Sequence, residues 1–423
     1  MRIGFRFTIA AAAIAVLLVG GQAVAQETTG SITGTVVNDV GTPIAGAIVD
    51  AVGPQGKLST VSDVDGRFRF PRVAPGQYKV STSFEGFQPA EAEMTAVLGQ
   101  ATTVNFSLQQ TFSEEITVYS DTVSIDFTES QVETSIREWE IEYLPRGRNF
   151  TDVVTYAPGT VEDRQAGGIS IDGASGLENR YIIDGIDTTD PQIGDDAIPM
   201  RAEMFEEVQV KSAGYAAEFG GSTGGVINAV TRSGSNQFSG SVFTDYENED
   251  WNGEERPTLY SGTGEYELYG KDEESRWDPG FAIGGPILRD RLWFFASYQP
   301  GLRTTDRTVD WPNDPPDTYT QDFKIDYVAA NLTANIGSSL LLKVGANVSP
   351  YTREGLLPGR SGRSNLPDQE NYAPLGDEGE RETYSLLADW IATDNFVVAG
   401  RVGYFRTNFV DTGVPTFDLV HNY

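Results

Sequence analysis

Apolar positions along this chain recur mostly with a period of two, and the alternating runs lengthen partway through the sequence. Between about residues 30 and 110 the runs are short: Ser31 to Val37, Ala47 to Val52, Arg67 to Phe70, Gln77 to Ser81 and Thr103 to Leu108. Gly41-Thr42-Pro43, Asp65-Gly66, Ala74-Pro75-Gly76 and Glu85-Gly86 separate them. Short alternating runs punctuated at this spacing predict an all-β sandwich over residues 26–111. Residues 125–235 mix the two periods. Ile136 to Leu144 is helix-compatible and Phe150 to Val154 suits a helical turn. Strands are predicted at Ile169–Gly173, Arg180–Gly185, Val208–Lys211 and Gly225–Val230.

From Phe238 the runs approach ten residues. Phe238, Val242 and Tyr246 alternate with Ser239, Ser241 and Asp245, and Leu340, Leu342, Val344, Ala346 and Val348 alternate with Lys343, Gly345 and Asn347. Phe396, Val398, Val402 and Tyr404 oppose Arg401 and Gly403. With Phe281–Ile283, Leu292–Tyr298, Asp322–Leu332 and Tyr384–Ile391, seven strands are predicted. Apolar-out, polar-in runs suit a lipid-facing barrel. A half-buried sheet on a soluble core gives the same alternation, so the connections must decide. They alternate between long (247–276, 300–320, 350–381) and short (285–291, 335–339, 393–395). A transmembrane barrel, with short turns at one rim and long loops at the other, has that order. Tyr298, Tyr327, Trp390, Tyr404 and Phe405 lie near predicted strand ends, as girdle aromatics would.

The N-terminus differs from all of this. Arg2 and Arg6 precede an apolar run from Ile9 to Val19, and Ala23-Val24-Ala25 is a small-x-small site. This reads as a secretory signal peptide over residues 1–25, cleaved between Ala25 and Gln26. The run is about half the ~20 residues that a membrane-spanning helix needs.

Composition removes several chemistries. There is no cysteine, and His421 is the only histidine, so disulfides, His-based metal sites and His-dependent triads are set aside. A formal charge of −31 argues against nucleic acid as a partner. Asp63 and Asp65 offer too few oxygens for Ca²⁺, and Asp-Gly is an ordinary turn. Asp184, Asp187 and Asp190 follow a strand, where aspartate commonly serves turn chemistry. Gly220 to Gly225 is glycine-rich but lacks the lysine of a phosphate-binding loop; a tight backbone passage against a barrel wall is the expected use. No metal, cofactor or catalytic residue is implied. Acidic residues crowd the first long loop, from Asp245 to Glu274. They suit a solvated surface, or capture of a cationic ligand through focused negative potential.

Several segments carry a resemblance. Gly41 to Ala47, Asp63 to Phe68 and Val73 to Tyr78 resemble the carboxypeptidase regulatory-like domain, a transthyretin-like sandwich without peptidase chemistry. Next, Glu115, Ile116, Thr117, Val118 and Tyr119, in a linker over 112–124, resemble the TonB box of TonB-dependent receptors. An extended β-branched segment of this kind can add as a strand to a partner's sheet. Three motifs resemble the plug domain (125–235) of those receptors, and more narrowly the Oar-like branch. They are Asn179-Arg180-Tyr181-Ile182-Ile183-Asp184-Gly185, Phe205-Glu206-Glu207-Val208-Gln209-Val210, and the run from Tyr215 through Glu218, Phe219, Gly220, Gly221, Gly224 and Gly225 to Asn228. Gly284 to Phe295 resembles that branch's first barrel hairpin.

The resemblance implies a mainly β fold: the sandwich, a small α+β plug, and an antiparallel transmembrane β-barrel whose strands begin in residues 236–423. It implies uptake of an external ligand (siderophore, oligosaccharide, peptide or protein) across an outer membrane, with TonB and outer-membrane lipid as partners. Related barrels have about 22 strands, so the seven predicted here lead to the expectation of an incomplete barrel, from a truncated product or a fragment. An alternative is a surface adhesin whose sandwich binds carbohydrate through Tyr78, Phe84 and Phe87, although such aromatics are more often core.

Overall fold

The computed structural model describes residues 28–110, 132–144, 149–163, 166–191, 194–216, 219–253, 257–260, 264–311, 315–337, 339–360, 374–393 and 396–413. The signal-peptide site at Ala25 and Gln26, the TonB-box candidate Glu115–Tyr119, and Glu218 lie outside the described residues.

The first domain is the expected sandwich. One sheet holds β1 (Gly30–Asn38), β4 (Arg67–Val73), β7 (Ala101–Thr103) and β8 (Phe106–Leu108); the other runs β3 (Gly56–Val61), β2 (Ile48–Gly53), β5 (Gly76–Ser83), β6 (Ala90–Ala96). The strands β3 and β6 were not anticipated, because Lys57-Leu58-Ser59-Thr60 and Ala90-Glu91-Ala92-Glu93 have too few large apolar residues to show a period. Along β1, Ile32 and Val36 turn inward onto Phe68, Phe70, Val80 and Leu108. Gly34 shares that face, and a side chain there would stand 2.6 Å from the Phe68 ring. The Asp63 carboxylate accepts the Asp65 and Arg67 amides at 2.9 and 2.8 Å, which is turn chemistry.

The second domain is a five-stranded mixed sheet in the order β13 (Ile186–Asp187), β12 (Arg180–Ile183), β15 (Val226–Thr231), β14 (Phe205–Ala213), β9 (Val132–Arg137). Only β12 and β15 are parallel. Helices α1 (Glu138–Tyr143) and α2 (Phe150–Val154) and a small ribbon of β10 (Thr160–Glu162) with β11 (Ile169–Ile171) complete it. The helix expected from Ile136 starts two residues later, because Ile136 and Arg137 still pair with β14.

The third part is an antiparallel meander of β16 (Ser239–Asn248), β19 (Glu273–Leu288), β20 (Leu292–Val309), β21 (Asp317–Ile336), β22 (Leu340–Val348), β23 (Tyr351–Glu354), β24 (Gly376–Thr393) and β25 (Phe396–Thr412). Both β22 and β23 lie between β21 and β24, forming one interrupted stave, so the described residues hold the seven staves expected. The staves are longer than the sequence indicated. Residues 300–320, expected to be a loop, are strand at 300–309 and 317–320. The added length is polar and so shows no hydrophobic period; Thr304 to Asp322 (2.7 Å) and Thr308 to Thr318 (2.9 Å) tie it together. The first long loop also contains an unexpected hairpin of β17 (Thr258–Tyr260) and β18 (Glu265–Glu267).

Register fixes the faces. Val328, Leu332, Val344, Leu386, Val402 and Tyr404 share the outward surface, while Trp293, Ser297, Tyr327, Asn331, Lys343, Ser385 and Asp389 face the plug. Two expected girdle aromatics are therefore misplaced. Tyr327 is buried beneath plug Arg201, and Phe405 packs on the plug core. Parity decides this: both stand one residue out of phase with the outward series, and longer strands move Tyr327 away from a strand end. Tyr298, Trp390 and Tyr404 do face outward. Tyr384 and Trp390 are six residues apart on β24, roughly 20 Å at about 3.3 Å per residue, close to the height of a lipid-facing band.

Candidate functional site at the plug and barrel wall

The plug and the wall share one core. Plug residues Phe150, Val153, Tyr181, Phe205, Val208 and Ile227 pack with Ile325, Tyr327 and Ala329 of β21 and Tyr351 of β23. Around this apolar centre the contact is charged.

The motif at 179–185 supplies the first tie. Asp184 follows β12 in the left-handed region at φ 49°, and Gly185 comes next at φ 72°. Its carboxylate, fully buried, accepts the Thr231 amide at 3.0 Å, the Thr231 hydroxyl at 2.5 Å and the Lys343 ammonium of β22 at 2.8 Å. Lys343 also donates to the Thr231 carbonyl at 2.9 Å, and Asn331 Nδ2 donates to Thr231 Oγ1 and the Arg232 carbonyl, each at 2.8 Å. Turn chemistry therefore accounts for only part of Asp184; its charge is used across the plug–wall boundary. Asp187 and Asp190 stay within the plug. Asp187 pairs with Arg180 at 3.0 Å and accepts from Thr189, and the Asp190 carbonyl accepts the Gly194 amide.

A second tie joins Arg201, which precedes β14, to Asp278 on β19 at 2.8 Å with both side chains wholly buried. Arg276 approaches Asp278 at 3.3 Å, and the Arg201 guanidinium lies 4.2 Å from the Tyr327 ring centre. Burial lowers the Arg201 pKa, partly offset by Tyr327 and Asp278. On the other flank Arg401 of β25 pairs with Asp389 of β24 at 2.5 Å and donates to Thr28 at 2.9 Å. Gly185 lets this guanidinium pass, since a side chain at Gly185 would meet the Arg401 stem at 3.4 Å.

Sequence reasoning missed Arg201, Asp278, Lys343 and Arg401 as site residues. Their signal was present for Lys343 and Arg401, charged positions on the polar phase of apolar strands. Arg201 and Asp278 stand in segments without periodicity.

The remaining motif residues hold the plug itself. Asn179 is buried and donates to the Ile169 carbonyl while its Oδ1 accepts the Gly225 amide at 2.9 Å. Arg180 also donates to the Gly220 carbonyl. Gly221 adopts φ 95°. A Cβ on Gly224 would fall 2.6 Å from Asn179 Oδ1, and one on Gly225 would fall 2.5 Å from Ile171 Cδ1. The tight glycine passage thus exists, but against the plug's own chain and not the barrel wall: this loop folds back over β11 and the residue that opens β12. Phe219 packs on Ile182 and Val226 beneath the Lys211 ammonium, which pairs with Glu133 at 3.0 Å. Tyr181, Val208 and Asn228 are buried in the sheet.

Glu207 has a different duty. Its carboxylate accepts the Leu98 amide of the sandwich at 3.2 Å, and Gln209 donates to the Leu98 carbonyl at 3.0 Å. The second plug motif therefore clips the sandwich in place. Burial raises the Glu207 pKa, and raises that of Glu206 to about 7, helped by Glu138 and opposed by Arg232. In the sandwich, Tyr78 is buried in the core, with Phe84 and Phe87 packed against it.

Comparison with known proteins agrees with these domains. Residues 31–109 match the carboxypeptidase regulatory-like domain, residues 127–226 the TonB-dependent receptor plug domain, and residues 230–416 an outer membrane beta barrel domain. The chain is 35% identical over 301 residues to the TonB-dependent transporter Oar of Myxococcus xanthus, covering 68% of this chain and 28% of that protein. It therefore spans under a third of that relative's length. Similar solved structures include the outer membrane transporter YddB of Escherichia coli, at 18% identity and TM-score 0.48, covering 64% of this chain and 38% of that one. Another is a variant of the ferric enterobactin receptor PfeA of Pseudomonas aeruginosa in complex with enterobactin, at 16% identity and TM-score 0.47, covering 66% and 41%. With sandwich, plug and barrel matched in order along one sequence, the chain belongs to the TonB-dependent outer-membrane receptors, in the Oar-like branch.

Proposed function

We propose that the protein takes up an external ligand across the outer membrane, the plug gating the barrel and TonB driving the gate. One observation carries this reading: the plug is seated on the inner barrel wall through buried charge pairs as well as apolar packing. A purely apolar seat would release only by exposing hydrocarbon to water. Charged pairs such as Lys343–Asp184 and Arg201–Asp278 can instead exchange partners for water when the plug is displaced. The long connections from β16 to β19, β20 to β21 and β23 to β24 would receive the ligand. Glu115–Tyr119 would add as a strand to TonB, and a pull there would be passed through the following β9 to β14, its partner in the plug sheet.

The test is disulfide trapping. Thr117→Cys should cross-link to a cysteine in the periplasmic domain of TonB, and Ile116→Pro with Val118→Pro should abolish the cross-link by removing ladder donors. Absence of any cross-link from Thr117→Cys, in cells where the chain reaches the outer membrane, would sink the TonB assignment.

A further inference from the structure

We infer that the groove between the sandwich and the sandwich-side rim of the barrel binds anionic phospholipid headgroups of the inner leaflet. The inference rests on the membrane placement proposed above and adds a partner to it.

The sandwich is fixed at the foot of the barrel. The Asn236 amide donates to the Pro54 carbonyl at 2.9 Å, and the Arg72 guanidinium donates to the Asp389 carbonyl at 2.6 Å. Between these anchors lies a cleft of about 1300 Å³, walled on the sandwich side by β3 and β4 and roofed by Asp290 after β19, by Asn335, Gly337 and Ser339 around the end of β21, and by the last residues of β24, Ile391, Ala392 and Thr393. Both β3 and β4 are edge strands.

Charge distinguishes this cleft. The chain carries 30 Lys and Arg against 61 Asp and Glu. Of the five Lys and Arg in sandwich residues 28–110, four (Lys57, Arg67, Arg69 and Arg72) line the cleft; the fifth, Lys79, does not. Lys57 is held at 2.8 Å by Asp50, and Arg67 stands at 4.0 Å from Asp65. Arg69 is exposed and carries no ion pair among the described residues. Arg289 and Arg291 are not part of the lining but are the chain neighbours of the roof residue Asp290; both are exposed and carry no ion pair among the described residues. The opposing charges on the lining are Asp63, committed to its turn, Asp290, which accepts from Asn236 Nδ2 at 2.6 Å, and no other carboxylate.

Position selects the source of the anion. Directly above the roof the outward wall is apolar: Ile287, Leu288, Ile336, Trp390 and Phe396 are all exposed. That surface belongs in hydrocarbon, and the arginines just below its end stand at headgroup depth. Guanidinium groups bind phosphate with paired donors, and the Thr60 hydroxyl of β3 offers another.

The full chain in neutral detergent is titrated with short-chain phosphatidylglycerol, with short-chain phosphatidylcholine and with inorganic phosphate, and amide exchange is read across Gly56–Val73. Phosphatidylglycerol alone should slow exchange there, and less so at 0.5 M salt. Arg69→Gln, Arg289→Gln and Arg291→Gln combined should weaken the apparent affinity about fivefold per charge, on the order of a hundredfold together. Lys79→Gln, on β5 and outside the cleft, should leave it unchanged. Equal protection by phosphatidylcholine, protection by inorganic phosphate alone, or undiminished affinity in the triple variant would overturn the inference. Exchange across Val328–Ile336 reports separately whether the barrel wall takes up lipid at all, so failure of the membrane reading is distinguishable from failure at the groove.

Discussion

The sandwich and the plug are both β domains with closed interiors, yet they are held by different forces. Ile32, Val36, Phe68, Phe70, Val80 and Leu108 fill the sandwich, and among the described residues no charged side chain is buried there. The plug buries Arg201, Asp184, Glu207 and Lys211 along its boundaries with the wall, the sandwich and its own edge strand. Apolar burial is strong and without direction, which suits a body that keeps one shape. Paired buried charges add little net stability but fix orientation, and losing one partner is costly. The sandwich is thus a rigid attachment, and the plug is a part whose seat is specified by pairing.

The largest expected effect comes from breaking one such pair. Lys343→Met leaves Asp184 buried and uncompensated and should cost about 3–5 kcal/mol of plug stability, seen as faster amide exchange in β12 and β15. Adding Asp184→Asn should restore most of it; wild-type exchange in the single variant would mean that the pair does not hold the seat. In the sandwich, Phe68→Ala should cost a similar ~3–5 kcal/mol through the cavity it leaves. There the loss should stay within β1–β8, and an equal loosening of the plug would remove the contrast. Gly225→Ala pushes a methyl to 2.5 Å from Ile171 and 3.1 Å from the Lys211 carbonyl. Overpacking of about 1–3 kcal/mol is expected, measured as a lower urea midpoint for the plug.

The smallest effect sharpens the comparison through pH. The Glu206 carboxyl is raised from about 4.5 to about 7 by burial, so the folded state holds this proton more tightly than the unfolded chain. Its contribution to stability is therefore full below pH 4.5 and falls as the pH rises to about 7. Glu206→Gln should gain stability over the parent at pH 8, by less than the ~3 kcal/mol of a fully buried carboxyl because the side chain is partly exposed, and none at pH 4. Unfolding midpoints at the two pH values check this, and an equal gain at both would rule out titration as the cause.

Much of this architecture was legible in the chain. The period of two in Leu340–Val348 placed Lys343 on the inner face before any coordinates, and the glycines and aspartates at turns marked the sandwich. Strands composed of threonine, serine and acidic residues, such as the outer halves of β20 and β21, escaped because their alternation carries no hydrophobic contrast. Tyr327 looked like a girdle residue until its register was known.

What the sequence determined alone is the alternation that makes these segments strands, the turns that end them, and the order of three domains, since all of these are local. What only the tertiary structure decided is which charges meet. Asp184 and Lys343 are 159 residues apart, and Arg201 and Asp278 are 77 apart. Their pairing depends on how a plug sheet sits inside a curved wall, and a buried ion pair has no local pattern to betray its partner.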